Sequence, residues 1–481
     1  MTSNSTGSVA IGRASRILLC IFISVTAAIS QNSPPADESA LHAEFRLEGE
    51  RFHKSCVTQF SIANCPYLLL TDHPLHIAVG SIAPQNGFGA GPALITHYDA
   101  KNWYYKGDFD AIASTNGSWR AGAYIKIIPV PKKKIIVVRG TGEQPHKSNL
   151  RIFDLPLFTA YAQGISLNKI DFFGLGPATT TAGRSYFGMQ ETIIGTHEII
   201  PMPWTRRLNM AIIGEINGRF VNIRPSPGQP SPSIQALYNN ATAPGLVNQP
   251  GFVQFGEGVR LEPSLGDYLK LNYLLSFQQF VAPSDSTFSF HRFTVDLGHE
   301  IPFYRTVVVT ARDTNNPDEC GTGTKDLACP PLKSSSRNHY GAINLRFLLT
   351  ESYTSAGSVV PFYFQPTLGG SDINGSPTLP SYQDYRFRGP NLMLFHAGLE
   401  HSVFNTPVGV IFGADAGKVA LTRDDIDLQH LRHSYSAGIT LRAGGFPMLY
   451  LLFATGGHEG NHFIANLNTS LLGGSSRPSL F

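Results

Sequence analysis

Residues 267–278 read DYLKLNYLLSFQ, and apolar and polar side chains alternate along this stretch. The alternation sets Leu269, Leu271, Tyr273, Leu275 and Phe277 against Lys270, Asn272, Ser276 and Gln278. Successive side chains of a β-strand point to opposite faces, so the stretch is predicted to be a strand with one apolar and one polar face. It is also longer than the roughly six residues of an ordinary sandwich strand.

The same alternation recurs along most of the chain. It is present in residues 434–442 and 463–471, and again in 103–110 and 119–126, which flank the hairpin signal Asn116-Gly117. No comparable stretch shows the 3.6-residue period of a helix. The fold class is therefore predicted to be all-β, with antiparallel strands joined by turns.

Two architectures use such strands, because a soluble sandwich turns its apolar faces inward and a membrane barrel turns them outward. Spanning strands need about 9 to 11 residues, and the alternating stretches reach that length. Aromatic residues collect near the predicted strand ends, as in an interfacial girdle; examples are Tyr104, Tyr105, Trp119, Phe362, Tyr363 and Phe364. About 400 residues at roughly 20 to 25 per strand give about 16 to 20 strands. An antiparallel transmembrane β-barrel is therefore predicted.

Two stretches between the alternating segments are too long for hairpin turns. Residues 224–258 are rich in proline and asparagine, and residues 314–338 contain two cysteines. Because membrane barrels of this kind keep their long loops on the extracellular side, both stretches are predicted to be extracellular loops.

The composition excludes several other classes of protein. Charged residues make up only 15% of the 481 residues, against about 25% in soluble domains. Aromatic residues reach 11%, which excludes a disordered chain. After the amino terminus, no run of about 18 apolar residues predicts a membrane-spanning helix. Lys and Arg number 37 against 34 Asp and Glu, so the charge gives no indication of nucleic-acid binding.

The amino terminus has the order of a secretory signal. Arg13 and Arg16 precede the apolar stretch 17–29, and the small residues Ala28 and Ser30 precede Gln31. Residues 1–30 are therefore expected to be a signal peptide that is removed on export. The rest is predicted to comprise a short periplasmic segment at 31–73, a transmembrane barrel at 74–472 and a carboxyl-terminal tail at 473–481.

Four cysteines remain after removal of the signal, as Cys56 with Cys65 and Cys320 with Cys329. In an exported protein two such near pairs are predicted to form two local disulfides. Two pairs of free thiols are the alternative in a reducing compartment. A zinc site would favour tighter Cys-x-x-Cys spacing.

Four motifs carry a resemblance to a known family. They are DFFGLGP at 171–177, PTLGG at 366–370, DYRFR at 384–388 and GADAGKV at 413–419. With them the chain resembles the carboxyl-terminal barrel of the BamA/TamA family, the bacterial surface antigen superfamily. The resemblance implies a barrel of about 16 strands in the bacterial outer membrane, with a sixth extracellular loop folded into the lumen. Five predicted strands follow that loop here, as they do in the family.

The resemblance also implies a role for charged residues of that loop. In the family a Val/Leu-Arg-Gly-Phe/Tyr signature supplies an arginine that docks inside the barrel, but the corresponding residues 379–382 read LPSY. Arg386 and Arg388, with Asp384 beside them, remain to make lumen contacts. Asp415 is a candidate carboxylate partner for these arginines. The alternative is that they are exposed loop charges.

Assembly barrels of the family carry POTRA domains before the barrel, and none fits into residues 31–73. We therefore expect an integral outer-membrane barrel that resembles the BamA/TamA assembly and translocation barrel without its POTRA arm. Its expected partners are outer-membrane lipid and either client proteins or periplasmic partner subunits, and a passive pore or a surface antigen is the alternative. We expect no cofactor, metal, nucleic acid or catalytic residue. The lumen is predicted to be lined by Lys270, Asn272, Gln278 and Arg442, among others.

Residues 458–462, HEGNH, match the zinc-metalloprotease pattern HExxH. That chemistry needs a helix, which places both histidines on one face with the glutamate as base. Gly456, Gly457 and Gly460 disfavour a helix here, so the stretch is predicted to be a polar hairpin loop. A secreted zinc metalloprotease is the third alternative.

Overall fold

The structure is a computed structural model, and it describes residues 46, 47 and 50 and, with several gaps, the chain from residue 74 to residue 467. The described residues are 46, 47, 50, 74–100, 102–129, 155–205, 208–226, 228–266, 268–311, 332–403, 406, 408–443, 446–457 and 459–467. The predicted signal peptide, the four cysteines that are predicted to form disulfides and the predicted tail lie outside them. Within these ranges no helix is long and apolar enough to cross a membrane.

The alternating sequence forms strands almost throughout. The strands are β1 (Leu75–Ser81), β2 (Phe88–Ala100), β3 (Trp103–Ser114), β4 (Trp119–Pro129), β5 (Leu157–Phe172), β6 (Ser185–Pro201), β7 (Met210–Pro225), β8 (Phe252–Leu261), β9 (Ser264–Leu265), β10 (Leu269–Val281), β11 (Phe290–Ala311), β12 (Leu332–Thr354), β13 (Thr367–Leu368), β14 (Phe387–Arg388), β15 (Asn391–Ser402), β16 (Val408–Ala420), β17 (Arg432–Ala443), β18 (Phe446–Thr455) and β19 (His462–Leu467). One short helix, α1 (Ile234–Leu237), and single 3-10 turns are also present, and the described residues 46, 47 and 50 are helical. The all-β prediction is confirmed.

Each long strand pairs antiparallel with its neighbour along the chain, as expected for a series of hairpins. β8 and the two-residue β9 both pair with β10, so they form one strand that is interrupted at Pro263. The main sheet therefore has 16 long strands. Five of them, β15 to β19, follow residue 390, as predicted. β13 and β14 form a separate two-stranded sheet.

The first and last long strands of the sheet, β1 and β19, are neighbours in space, with Cα atoms within 8 Å of each other. β1 has a hydrogen-bonded register with β2, and β19 has one with β18. Between the described residues of β1 and β19 themselves there is no such register. We call this boundary the seam.

The connections alternate between two ends of the sheet, because the strands are antiparallel. The loop end carries the β1–β2, β5–β6, β7–β8 and β18–β19 turns and the 355–390 segment, whereas the terminal end is where β1 begins and β19 ends. The predicted loop at 224–258 is confirmed in its middle part, which joins β7 to β8 at the loop end, whereas residues 224–225 belong to β7 and residues 252–258 to β8. The predicted loop at 314–338 is wrong for residues 332–338, which belong to β12, and its residues 314–331 lie outside the described residues. Three long strands separate the β7–β8 and β11–β12 connections, so these connections lie at opposite ends of the sheet, and the prediction that both loops lie on one side is wrong.

The apolar parity of the strands faces outward. Outward-facing Leu275, Ile216, Phe220, Phe412 and Phe463 are between 39% and 68% exposed. The other parity carries buried polar side chains, which include Asp108, Asn217, Gln254, Asp415 and Thr440. This arrangement is the reverse of a soluble protein, in which apolar faces are covered and polar faces are wet.

Candidate functional site

The 355–390 segment joins β12 to β15, and much of it is buried although it is a connection. At its start, a 3-10 turn places the side chains of residues 362–364 at no more than 1% exposure. The Phe362 ring lies 5.3 Å from the Phe172 ring of β5, and the Phe364 ring lies 4.9 Å from the Phe252 ring of β8. The prediction that residues 362–364 belong to an interfacial girdle is therefore wrong, because the turn inserts these rings into an aromatic core.

Two buried arginines anchor this turn. Arg292 of β11 donates a hydrogen bond to the carbonyl oxygen of Phe364, and Nη1 of Arg388 donates one to the carbonyl oxygen of Phe362 at 2.9 Å. The Arg292 guanidinium also lies 5.3 Å from the centre of the Phe280 ring. Burial lowers the pKa of Arg388 to about 10. Carbonyl oxygens and ring faces thus stabilise these cations in the core.

Two of the family-like motifs form the two sides of one small hairpin. The PTLGG motif contains β13, the DYRFR motif contains β14, and Thr367 pairs with Arg388. Gly370 has a φ of +54°, and a Cβ on it would overlap the carboxylate of Asp384. The glycine is therefore required by its left-handed backbone and by the close approach of the second motif.

The other two family-like motifs contact the same hairpin. Gly176, in the DFFGLGP motif, donates its N–H to the carbonyl oxygen of Arg388 at 2.7 Å. Gly417, in the GADAGKV motif, lies under Leu368, whose Cδ1 would be 3.2 Å from a Cβ at residue 417. Four motifs from distant parts of the sequence therefore meet at one place.

Arg386 is only 2% exposed and contacts two turns of the loop end. Its Nε atom donates to both carboxylate oxygens of Glu459 in the β18–β19 turn, at 2.7 and 2.8 Å. Its Nη2 atom donates to the carbonyl oxygen of Thr179 in the β5–β6 turn at 2.7 Å. The predicted candidate partner, Asp415, is instead held by Nδ1 of His396 at 2.7 Å, because the two residues face each other across β15 and β16.

Asp384 and Tyr385 are consecutive residues of the 355–390 segment, and their side chains contact different parts of the chain. The Asp384 carboxylate accepts a hydrogen bond from the backbone N–H of Ser371 at 2.9 Å. Burial is the main reason why the pKa of Asp384 is raised to about 6, with the carboxylate of Asp171 nearby as a further cause. The hydroxyl group of Tyr385 donates to the carbonyl oxygen of Pro84, in the β1–β2 turn, at 3.2 Å.

The middle of the segment reaches the last strands of the sheet. The backbone N–H of Ser381 donates to the hydroxyl oxygen of Ser434 on β17 at 2.8 Å. The hydroxyl group of Tyr450, on β18, donates to the carbonyl oxygen of Gly375 at 3.5 Å. The 355–390 segment therefore contacts β17 and β18 as well as the aromatic core on β5 to β11, so strands that are far apart in the sequence contact the same segment.

The predicted lining residues of β10 lie on one parity of that strand. Lys270, Asn272 and Gln278 share this parity with Phe280, which packs against the buried Phe364 ring. Nζ of Lys270 forms an ion pair with Glu300 of β11 at 2.9 Å. A second ion pair on the same face joins Arg346 of β12 to Asp296 of β11 at 2.8 Å. The side chain of the fourth predicted residue, Arg442, lies outside the described part of the chain.

Residues 459–461 of the HEGNH stretch lie in the β18–β19 turn and residue 462 begins β19, in agreement with the predicted hairpin loop. Glu459 is engaged by Arg386, and His462 lies at the first position of β19. His458 lies outside the described residues. Within the described residues, no group of three or more His, Cys, Asp or Glu side chains could hold a metal ion.

The sequence does not predict the roles of two residues that organise the site most directly, Arg292 and Glu459. Arg292 lies in an alternating strand and has the same sequence context as other charged residues of the strands. Glu459 is recognisable in the sequence only as part of the HExxH pattern. A sequence signal existed for neither residue, since both roles depend on contacts with a segment that is distant in the chain.

No protein-family model and no curated protein matches the chain. Among solved structures, it is similar to CdiB from Acinetobacter baumannii (12% identity, TM-score 0.42), BamA from Haemophilus ducreyi lacking POTRA domains 1–3 (10%, 0.44) and CdiB from Escherichia coli (13%, 0.44). These matches cover 82%, 81% and 82% of this chain, and 59%, 68% and 62% of the respective structures. BamA is thus among the structural neighbours of this chain.

Proposed function

We propose that this chain is an integral outer-membrane β-barrel of the BamA/TamA type, and that the 355–390 segment closes its lumen at the loop end. One observation carries the proposal. The segment contacts the β1–β2 turn through Tyr385, the aromatic core of β5 to β11 through residues 362–364, and the β18–β19 turn through Arg386. A sheet can touch a single segment from its first turn to its last only if it curves around that segment.

The outward apolar parity supports placement in a membrane. Large apolar side chains such as Phe220 and Phe412 are more than half exposed on the outer face, and lipid would cover them. Ion pairs such as Lys270–Glu300 lie on the opposite face. In a closed barrel every backbone group within the membrane is hydrogen-bonded, which is why such strands are stable in lipid.

The proposed activity is the assembly or translocation of client proteins, in which the barrel provides a polar interior and an adjustable edge at the seam. This role needs no covalent chemistry. A passive pore is the second candidate, and the ion pairs on the inner face favour it, because they would line a water-filled passage. The two candidates differ in whether an unfolded client gains structure in the presence of the protein.

The test uses the full mature chain in liposomes of bacterial phospholipid. A small eight-stranded outer-membrane protein, unfolded in urea, is diluted into these liposomes and into protein-free liposomes, and its folded fraction is followed by its heat-modifiable gel band. An assembly role predicts folding at least about tenfold faster with the chain present.

Two further measurements separate the possible outcomes. The chain itself must run as a compact unboiled band that shifts on heating, and a soluble chain without such a band would contradict the barrel. If the barrel is present but the client folds no faster, the assembly role is wrong. Steady single-channel conductance in the same preparation would then favour the passive pore.

A further inference from the structure

Within the described residues, the two strands at the seam are the shortest of the 16 long strands, with seven residues in β1 and six in β19. β1 has a register only with β2, and β19 only with β18, within the described residues. The β1–β2 and β18–β19 turns, which lie on the two sides of the seam, both contact the 355–390 segment.

Two consecutive residues of the 355–390 segment supply these contacts, one on each side of the seam. Tyr385 reaches the β1–β2 turn, where its hydroxyl group donates to the carbonyl oxygen of Pro84 at 3.2 Å. Arg386 reaches the β18–β19 turn, where it forms a two-oxygen contact with Glu459 at 2.7 and 2.8 Å. Tyr385 and Arg386 are 1% and 2% exposed, so both contacts are shielded from water.

The backbone conformation of Tyr385 allows the side chains of two consecutive residues to reach opposite sides of the seam. Its φ is +58°, in the left-handed region that residues other than glycine rarely adopt. Such a conformation persists only where surrounding contacts hold it in place. On the β19 side, Tyr382 packs directly on Gly457, where any Cβ would overlap its phenol group. Residues 382–386 therefore touch both turns, and we call them the strap.

We propose that the strap holds the seam together at the loop end, so that β1 and β19 separate there only when Tyr385 and Arg386 release their turns. The inference rests on the proposed barrel. It assigns two different jobs to two adjacent side chains, because Tyr385 restrains β1 and Arg386 restrains β19. If the two residues only stabilised the protein as a whole, substitution of either residue would affect β1 and β19 equally.

Hydrogen exchange followed by mass spectrometry tests the inference in the full chain in detergent. The variants are Tyr385→Phe, which removes only the hydroxyl group, and Arg386→Gln. Arg346→Gln is the matched control, because it breaks an ion pair of similar length between β11 and β12, away from the seam. Peptides from β1, β19 and β7 are compared, and β7 serves as the internal reference.

We expect exchange in β1 to rise about threefold in Tyr385→Phe, and exchange in β19 to rise about tenfold in Arg386→Gln, with β7 unchanged. The control should leave both seam strands as in the parent. Unchanged exchange in β1 and β19, or an equal rise in β7, would overturn the strap. If Arg386→Gln does not fold, Tyr385→Phe decides alone. A heat-shifted gel band from the parent shows that the barrel itself is intact, so failure of the strap and failure of the barrel remain distinguishable.

Discussion

Gly369 lies so close to Arg386 that a Cβ on the glycine would be 2.5 Å from the Cβ of the arginine. The two residues belong to the PTLGG and DYRFR motifs, which pair as β13 and β14. Gly369 also has a φ of +113°, which side chains other than hydrogen disfavour. The packing of the two motifs therefore leaves room for glycine alone at this position.

Gly369→Ala should accordingly destabilise the protein more than strain alone would. Backbone strain is worth about 1–2 kcal/mol, and displacement of Arg386 should add about 1–3 kcal/mol. Gly357→Ala is the control, because Gly357 has a φ of +82° in the same segment but nothing within 4 Å of its Cβ position. Thermal unfolding of the detergent-solubilised variants measures both. An equal decrease of the thermal midpoint in the two variants would show that the close contact between Gly369 and Arg386 does not affect stability.

Arg386→Glu should lower both stability and assembly yield. The substitution places a second carboxylate against Glu459 in a largely buried site, and breaking such a pair costs about 3–5 kcal/mol. The heat-modifiable band and its thermal midpoint report the effect. Arg305→Glu, at an exposed position on β11, serves as the charge control. Equal yield and equal melting for Arg386→Glu and the parent would contradict the docking of this side chain.

Asp384 should make the protein less stable as the pH rises. Because its folded-state pKa is raised to about 6, against about 3.9 for an unfolded chain, the folded state holds the proton more tightly. Its contribution to the free energy of unfolding is therefore largest below about pH 4, and it falls by about 2 kcal/mol between pH 4 and 6.

Asp384→Asn removes this titration and keeps an acceptor oxygen for the N–H of Ser371. The thermal midpoint of the variant, relative to the parent, should rise between pH 4.5 and pH 7.5. Asp424→Asn, in the exposed β16–β17 turn, should show no such change. A parent and an Asp384→Asn variant whose midpoints run parallel across this range would refute the assignment.

Phe362→Ala should open the lumen as well as destabilise the protein. Phe362 is fully buried, and loss of a core phenylalanine costs about 3–5 kcal/mol. With the aromatic turn loosened, single-channel conductance should increase and fluctuate. Phe412→Ala is the control, because this outward ring is 52% exposed and would lose only lipid contacts. Conductance that stays at the parent level in Phe362→Ala would argue against closure by this segment.

The sequence predicts the strands well because a strand records its two faces in a period of two residues. The predicted strands at 267–278 and 434–442 lie within a few residues of β10 and β17, and the five strands predicted after residue 390 are present. A contact between residues on distant strands leaves no such period in the sequence. The sequence therefore predicts Asp415 as a partner of the arginines, whereas the register of β15 and β16 places it opposite His396. For the same reason residues 362–364 are predicted to be girdle aromatics, because their sequence does not indicate that the Phe362 and Phe364 rings pack against β5 and β8.

The meander of the sheet has a consequence for the order of folding. Each long strand pairs with its neighbour along the chain, so most registers close short loops and cost little chain entropy. The contacts of Tyr385 with Pro84 and of Arg386 with Thr179 span 301 and 207 residues. Contacts between residues that are so far apart in the sequence form slowly. We therefore expect the hairpins to form first and the 355–390 segment to reach its final position last. This last step should be the slow kinetic phase of folding, in which the protein becomes resistant to unfolding by detergent.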